Sequence, residues 1–237
     1  MICLTSISPK HYNNEIQFKA IKSWVDSGFT VVSMNSPEEV KLLEKFYQDV
    51  KFVKTHRTLE KTYGRPLVSI NALMDFAKEQ NDPHICLVNS DIEIFLSGTQ
   101  IDSIIEKMND TVLISNRLDY DDNYTGVKYK AGFDVFFIHQ KYLGFFPQSM
   151  HAMGMTFWDY WVPYTATKAF INVQIIQDLF AFHKKHPFQY HHDHWQQSGQ
   201  FFLWQSRLYQ FSDTNEIGKM SDFVFKYIYK ACKPIKL

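Results

Sequence analysis

His84-Ile85-Cys86-Leu87-Val88-Asn89-Ser90-Asp91-Ile92-Glu93-Ile94-Phe95 is the stretch on which the fold turns. Its near-continuous apolar run predicts a parallel strand covered on both faces, because alternation is expected only where one face is wet. Asn89, Ser90 and Asp91 then arrive together at the strand's carboxyl end, where open α/β sheets place their ligands. In extended backbone Asp91 and Glu93, two apart, point the same way. Two converging carboxylates would offer hard oxygens to Mg²⁺ or Mn²⁺ shared with phosphate. An acidic turn following a strand is the other reading of the same residues.

Upstream of this stretch the pattern is β-α-β-α-β. Ile2 to Ile7 reads as a first strand, since MICLTSISPK has neither the basic start nor the long apolar run of a signal peptide. Ile16, Ala20, Ile21, Trp24 and Val25 recur at helical spacing over residues 14–27, and Gly28 stops that helix. Phe29 to Met34 is a second strand. Ser36 caps a helix that has Pro37 in its first turn, and Val50 to Val53 is a third strand. This order predicts a parallel, nucleotide-binding type of sheet with helices on both faces. Residues 54–66 are polar, with Arg57, Lys61, Tyr63, Gly64 and Arg65. They form either a solvated connection or a basic, aromatic lip over a phosphate, leading into a helix over Leu67–Lys78.

Downstream, Ile101–Met108 reads as a helix and Thr111–Ser115 as a strand, followed by Asn116-Arg117-Leu118-Asp119-Tyr120-Asp121-Asp122. Asp121 and Asp122 read as a solvated turn, whereas Arg117 is placed to contact the acids or a phosphate. Lys130 to Ile138 is another strand, and Phe201–Leu208 and Phe223–Tyr229 read as amphipathic helices.

The 237 residues suit one large α/β domain with a real core. Twenty-five basic residues balance 25 acidic ones, so no net field argues for nucleic acid. Cys3, Cys86 and Cys232 show no paired spacing and read as small buried hydrophobes. No apolar run reaches membrane-spanning length, which points to a cytoplasmic chain with at most peripheral membrane contact.

Two later stretches carry chemistry. In His151-Ala152-Met153-Gly154-Met155-Thr156-Phe157-Trp158-Asp159-Tyr160-Trp161-Val162-Pro163, one acid stands among four aromatics. Gly154 permits a tight turn, and Pro163 is expected to end the segment early. Partial desolvation would raise the pKa of Asp159 toward that of a general base, and neighbouring rings would stack on a sugar. A helix start with its aromatics in the core is the alternative. Five of the ten histidines lie between Phe182 and Trp195. Such density suits either a transition-metal site or an exposed polar loop.

Asp91-Ile92-Glu93 after an apolar strand resembles the DxD motif of GT-A glycosyltransferases. Gly132-Phe133-Asp134-Val135-Phe136-Phe137-Ile138 resembles the strand beneath their acceptor region, and Gly154 with Trp158-Asp159-Tyr160-Trp161 resembles the acidic motif that supplies the base in inverting members. The resemblance covers about residues 1–195 and departs from the pattern in ending the motif on Glu93. It implies a GT-A-like, Rossmann-like, mostly parallel sheet in a single domain, with a nucleotide-binding half over 1–95 and an acceptor-side half over 96–237. It further implies a nucleotide-sugar donor, a glycan or other hydroxyl acceptor, and Mn²⁺ or Mg²⁺ on Asp91 and Glu93. A late histidine would join the metal, with His183 and His186 as candidates and His192 and His194 as reserves. Thr5, Ser8 and Asn35 would border the nucleoside; Arg65, Asn89, Ser90, Arg117 and Lys185, with Lys184, would serve the diphosphate side. Asp159 would be the base. A sugar nucleotidyltransferase or a non-catalytic carbohydrate-binding protein would share parts of this pattern, although Ser6-Ile7-Ser8-Pro9-Lys10-His11 is not a glycine-rich basic loop.

Overall fold

A computed structural model describes residues 1–9, 14–121, 125–129, 132–186, 192–211 and 216–237. Asp122, the Lys130-Ala131 entrance to the expected strand, and residues 187–191 of the histidine stretch lie outside the described residues.

The elements follow one another as β1 (Ile2–Thr5), α1 (Asn14–Asp26), β2 (Thr30–Asn35), α2 (Pro37–Leu43), β3 (Val50–Lys54), α3 (Glu60–Tyr63), α4 (Ile70–Lys78), β4 (His84–Val88), β5 (Ile92–Ile94) and α5 (Gly98–Met108). Then come β6 (Val112–Ser115), β7 (Leu118–Tyr120), β8 (Gly126–Lys128), β9 (Val135–His139), α6 (Trp158–Lys168), β10 (Val173–Ile176), β11 (Ala181–Lys184), α7 (His192–Ser206), α8 (Ile217–Ala231) and β12 (Lys233–Ile235). Serine caps set three helix starts: α2 begins at Pro37 as expected, α4 at Ile70 rather than the expected Leu67, and α5 at Gly98 rather than the expected Ile101. Ser36, Ser69 and Ser97 each accept a backbone N–H of their helix's first turn, and Gln100 completes a capping box with Ser97.

Eight strands form the main sheet in the order β12-β10-β6-β9-β4-β1-β2-β3. Every pairing is parallel except those of β9, which runs antiparallel to both β4 and β6. The apolar run of β4 is covered on both faces, as expected. Ile85 and Leu87 belong to a core shared with α4, α6 and α8, and Cys86 and Val88 to a second core shared with α1 and α5. Helices thus lie on both faces of the sheet. Cys3 and Cys86 face each other across β1 and β4 as free, buried thiols, and Cys232 is likewise free and buried. The strand order reverses at β1, with β2 and β3 on one side and β4 on the other. The carboxyl ends of β1 and β4 therefore flank a switch point of the kind that binds ligands.

The sequence reading contained no second sheet, but one is present. β5, β11, β7 and β8 form a separate four-stranded sheet in that order. It is tied to α1, where Trp24 Nε1 donates to the carbonyl of Ile92 (2.7 Å) and Ser23 Oγ accepts from the amide of Ile94 (2.8 Å). Among the described residues no helix is long and apolar enough to cross a membrane.

Candidate active site

A cavity of about 410 Å³ opens at the switch point. Ser6 and Ser8 after β1 border one end, Asn89 to Asp91 after β4 the middle, and Asp159, Tyr160 and Trp195 the far end.

The first end is shaped from below. Asn35, buried at the end of β2, donates to the carbonyl of Ile7 (2.8 Å) and to Glu39 Oε2 (3.1 Å), and its own oxygen accepts from Ser33 Oγ (2.7 Å). Ser33 Oγ in turn accepts from the amide of Ile7 (2.9 Å). Thr5 and Asn35, expected to border a nucleoside, are therefore one layer beneath the wall, since each is buried and neither lines the cavity. Ser8 does line it, together with Glu39, which the sequence reading used only as part of a helix start. Burial lifts the Glu39 carboxyl above its ordinary pKa, against the hydrogen bond from Asn35. Ser90 also lines the cavity and is held by Gln17 of α1 at 2.7 Å.

In the middle, Asp91 occupies a turn closed by the amide of Ile92 on the carbonyl of Asn89 (3.3 Å). Its Oδ2 lies 3.3 Å from His186 Nε2 and 3.7 Å from His183 Nε2, and the two Nε2 atoms are 3.1 Å apart. Ligand atoms of Asp91, His183 and His186 all fall within 4.8 Å of one another. Glu93 is placed elsewhere, for a reason visible in the register. On β11, Phe182 pairs with Glu93 whereas His183 pairs with Ile92, so Glu93 and His183 occupy opposite faces of the small sheet. Phe182 packs on Phe95 and Tyr120 on Glu93's face, and the Tyr120 hydroxyl donates to Glu93 Oε1. The same-side rule for residues two apart fails because Asp91 is in the turn, before extended backbone resumes. One carboxylate and two imidazoles fit a divalent cation, and the nitrogens favour Mn²⁺ over the oxygen-seeking Mg²⁺.

Next to this group is a chain of charges. Parallel register sets His183 beside Asp119 of β7, and His183 Nδ1 lies 3.0 Å from Asp119 Oδ1. The same oxygen accepts from Arg117 Nε at 2.6 Å. Arg117 Nη1 donates to Asp134 Oδ1, and its guanidinium lies 4.2 Å from the Tyr129 ring centroid. Arg117 does contact acids, as expected, but they are Asp119 and Asp134 rather than the acids after β4. Burial pulls His183 down, but the Asp119 and Asp91 carboxylates outweigh it and leave its pKa up at about 9. Asp134 is buried and lines the cavity; burial raises its pKa against the attraction of Arg117. Its Oδ2, like Asn89 Oδ1 and Thr156 Oγ1 in the same wall, has no hydrogen-bond partner among the described residues.

At the far end, Gly154 takes the positive φ (+80°) expected of its turn. Phe157 precedes α6 at φ +69°, a left-handed conformation that costs a bulky residue about 1–2 kcal/mol. Packing of its ring near Tyr160, Trp195 and Phe202 holds it there. The bend puts Asp159 in the first turn of α6 and on the cavity wall. Burial chiefly, and then repulsion from Asp134, lift the Asp159 carboxyl to about 7, against Arg117 and the backbone amides of Asp159 and Tyr160. Pro163 does not end this helix, which continues to Lys168. It withholds only the amide that would bond to the carbonyl of Asp159. Of the four aromatics around Asp159, Trp161 is core, packed on Phe146 and His151, while Phe157, Trp158 and Tyr160 share the wall.

The remaining expected residues divide. Arg65 lines the cavity, with Nη2 3.7 Å from Met155 Sδ, whereas Lys185 is exposed and away from the wall. His192 stacks on Trp195 and His194 meets the edge of Tyr63, so neither reserve histidine joins His183 and His186. Asp121 is exposed and accepts from Thr125 Oγ1 (2.8 Å), in keeping with a turn.

An open, mostly parallel sheet with a cavity at its switch point defines a Rossmann-like class of α/β fold. Comparison with solved structures narrows this to the GT-A glycosyltransferase type of fold. The crystal structure of TarS 1–349 from S. aureus matches with a TM-score of 0.51 at 13% identity, over 91% of this chain and 73% of that one. Another S. aureus TarS structure gives a TM-score of 0.48 at 13% identity over 90% of this chain, and this chain spans 44% of its length. HddC from Yersinia pseudotuberculosis, complexed with GMP-PN, gives 0.42 at 11% identity, over 83% of this chain and 96% of that one. No family model matches the chain, and no curated protein matches it in sequence.

Proposed function

We propose that this chain transfers a sugar from a nucleotide-sugar donor to a hydroxyl of a glycan or other acceptor. The observation that carries this reading is one continuous cavity lined by Ser8 and Ser90 at the switch point, by the Asp91–His183–His186 group, and by the half-buried Asp159 carboxyl among aromatic residues. A purely binding role would not require a carboxyl whose pKa is lifted to about 7 on the cavity wall. Asp91, His183 and His186 would hold a divalent cation, Mn²⁺ by choice of ligands, which supplies positive charge for a departing diphosphate.

The chain's own residues supply the rest. Ser8 and Glu39 border the nucleoside, and Arg65 offers a cation on the same wall. Asp159 accepts the proton of the acceptor hydroxyl as that oxygen attacks the anomeric carbon, which passes through an oxocarbenium-like state. Attack assisted by a base across from the leaving group inverts the anomeric centre. Trp195 and Tyr160 exclude water and present ring faces to the sugar. The test is thermal shift with a panel of nucleotide sugars, with and without Mn²⁺, followed by donor hydrolysis and transfer assays. A reproducible shift with one donor, larger with Mn²⁺, is expected. The absence of any shift or turnover across the panel would refute the reading.

A further inference from the structure

His183 has two ring nitrogens, and the fold treats them differently. Nε2 faces His186 and Asp91, at 3.1 Å and 3.7 Å. Nδ1 faces a carboxylate that belongs to neither, Asp119 Oδ1, at 3.0 Å. Four features make this placement rigid. His183 and Asp119 are direct partners in the parallel pairing of β11 with β7. Asp119 Oδ1 also accepts from Arg117 Nε at 2.6 Å. Arg117 is itself fixed at its other end by the buried Asp134. The Tyr129 ring packs on the guanidinium at 4.2 Å.

We propose that Asp119, held by Arg117, is a positioning residue for the cation site. It holds a proton on His183 Nδ1, so that Nε2 is the nitrogen that gives up its proton and presents a lone pair to the ion. The inference rests on the reading that Asp91, His183 and His186 bind a divalent cation, and it adds a residue that the sequence pattern left without a role. An imidazole free to flip would offer the ion either nitrogen, or a proton where a lone pair is needed. A carboxylate behind Nδ1 removes that choice and strengthens the ligand. Asp121, two residues on, is exposed, accepts from Thr125 Oγ1, and serves as the control.

The experiment uses the full chain and Mn²⁺ alone, with free ion measured by electron paramagnetic resonance. Wild type, Asp119→Asn, Asp121→Asn, His183→Ala and the Asp119→Asn/His183→Ala double variant are titrated at one pH above neutrality. Asp119→Asn should bind Mn²⁺ about 10–100-fold more weakly, and Asp121→Asn should match wild type. The double variant should bind no more weakly than His183→Ala, because Asp119 acts through that imidazole. Multiplying losses in the double variant would mean that Asp119 acts as a general negative charge and would overturn the proposal, as would an unaltered Asp119→Asn. A wild type that binds no Mn²⁺ would sink the cation reading and the proposal with it. If wild type and His183→Ala differ but Asp119→Asn does not, only the proposal fails. Should Asp119→Asn not fold, wild-type protein with ¹⁵N-labelled histidine and Zn²⁺ decides the matter. Nuclear magnetic resonance should show His183 protonated at Nδ1 and bound through Nε2, and binding through Nδ1 would refute the assignment.

Discussion

Asp159→Asn separates the energetic consequence of a half-buried carboxyl from its chemical task. In the wild type the carboxyl's pKa stands at about 7, against 3.8 for the unperturbed group. A folded-state pKa raised above the unfolded value contributes stability that is fully present below pH 3.8 and is lost as pH rises through 7. At about 1.4 kcal/mol per unit the whole shift corresponds to roughly 4 kcal/mol. The carboxyl reaches the cavity, whose solvent screens part of the penalty, so about 2 kcal/mol is the expected change. Asparagine carries no such dependence. Relative to wild type, the variant should therefore gain roughly 4–8 °C in melting temperature between about pH 4 and about pH 8.5. Thermal unfolding of both proteins across that range reads the difference directly, independently of any constant offset from altered hydrogen bonding. Transfer at neutral pH should fall by about 10²–10⁴-fold with donor affinity unchanged, since the variant cannot take the acceptor's proton. A melting difference that stays flat with pH would refute the proton-holding carboxyl. Unchanged transfer would remove Asp159 as the base.

Three further outcomes are specific to this geometry. Glu93→Gln should keep Mn²⁺ affinity within a few-fold in a free-ion titration, because Glu93 faces Tyr120 on the sheet side opposite His183; a collapse of affinity would return Glu93 to the ion. Tyr120→Phe removes the donor to that buried carboxylate and should lower stability by about 1.5–3 kcal/mol in urea unfolding, with no change meaning that the hydrogen bond is idle. Gly132→Ala would put a methyl group 2.7 Å from Asp159 Oδ2 and 3.1 Å from a Tyr129 ring carbon. It should slow transfer more than it weakens donor binding, and equal losses in both would argue that the contact only supports the fold.

How legible the site was depended on range. The strand-end rule located Asp91 because the apolar run of β4 and the polar residues after it are contiguous, and the Ser36 cap set the start of α2 at Pro37, whereas the Ser97 cap was not recognised and α5 begins three residues before the expected Ile101. The same local logic misled at Glu93, because nothing in three residues announces that a turn ends between Asp91 and Ile92. β5, β7, β8 and β11 have three or four residues each, too few for periodicity to register, and apart from the β7–β8 pair their partners are distant in sequence. Asp119 was quoted in the run after β6 but given no task; of the two acids read as a solvated turn, Asp121 is exposed and Asp122 lies outside the described residues. What made Asp119 different is its pairing with His183, which exists only once β7 and β11 lie side by side. Asp134 was quoted within its strand but given no task, since burial of an acid beside Arg117 is a tertiary fact. Pro163 misread as a terminator illustrates the reverse error, a local rule overridden because neighbours on both sides pack the helix.

The inserted strand β9 has a consequence for how the protein comes to exist. β1, α1, β2, α2 and β3 can associate with short crossovers, and β4 joins them next. β4 and β6, however, are kept apart until β9, made later, slots between them, and β12 adds only when the last helix is in place. Long loops must close before these contacts form, so assembly of this half is the slow part of folding. Pulse-labelled hydrogen exchange should protect β1 and β2 before β6 and β9, and simultaneous protection would contradict this order. Because β11 and α6 belong to the late half, a nascent chain already holding Asp91 in its turn meets the imidazoles and Asp159 only at the end. Asp91, His183, His186 and Asp159 therefore come together only in the last stage of folding.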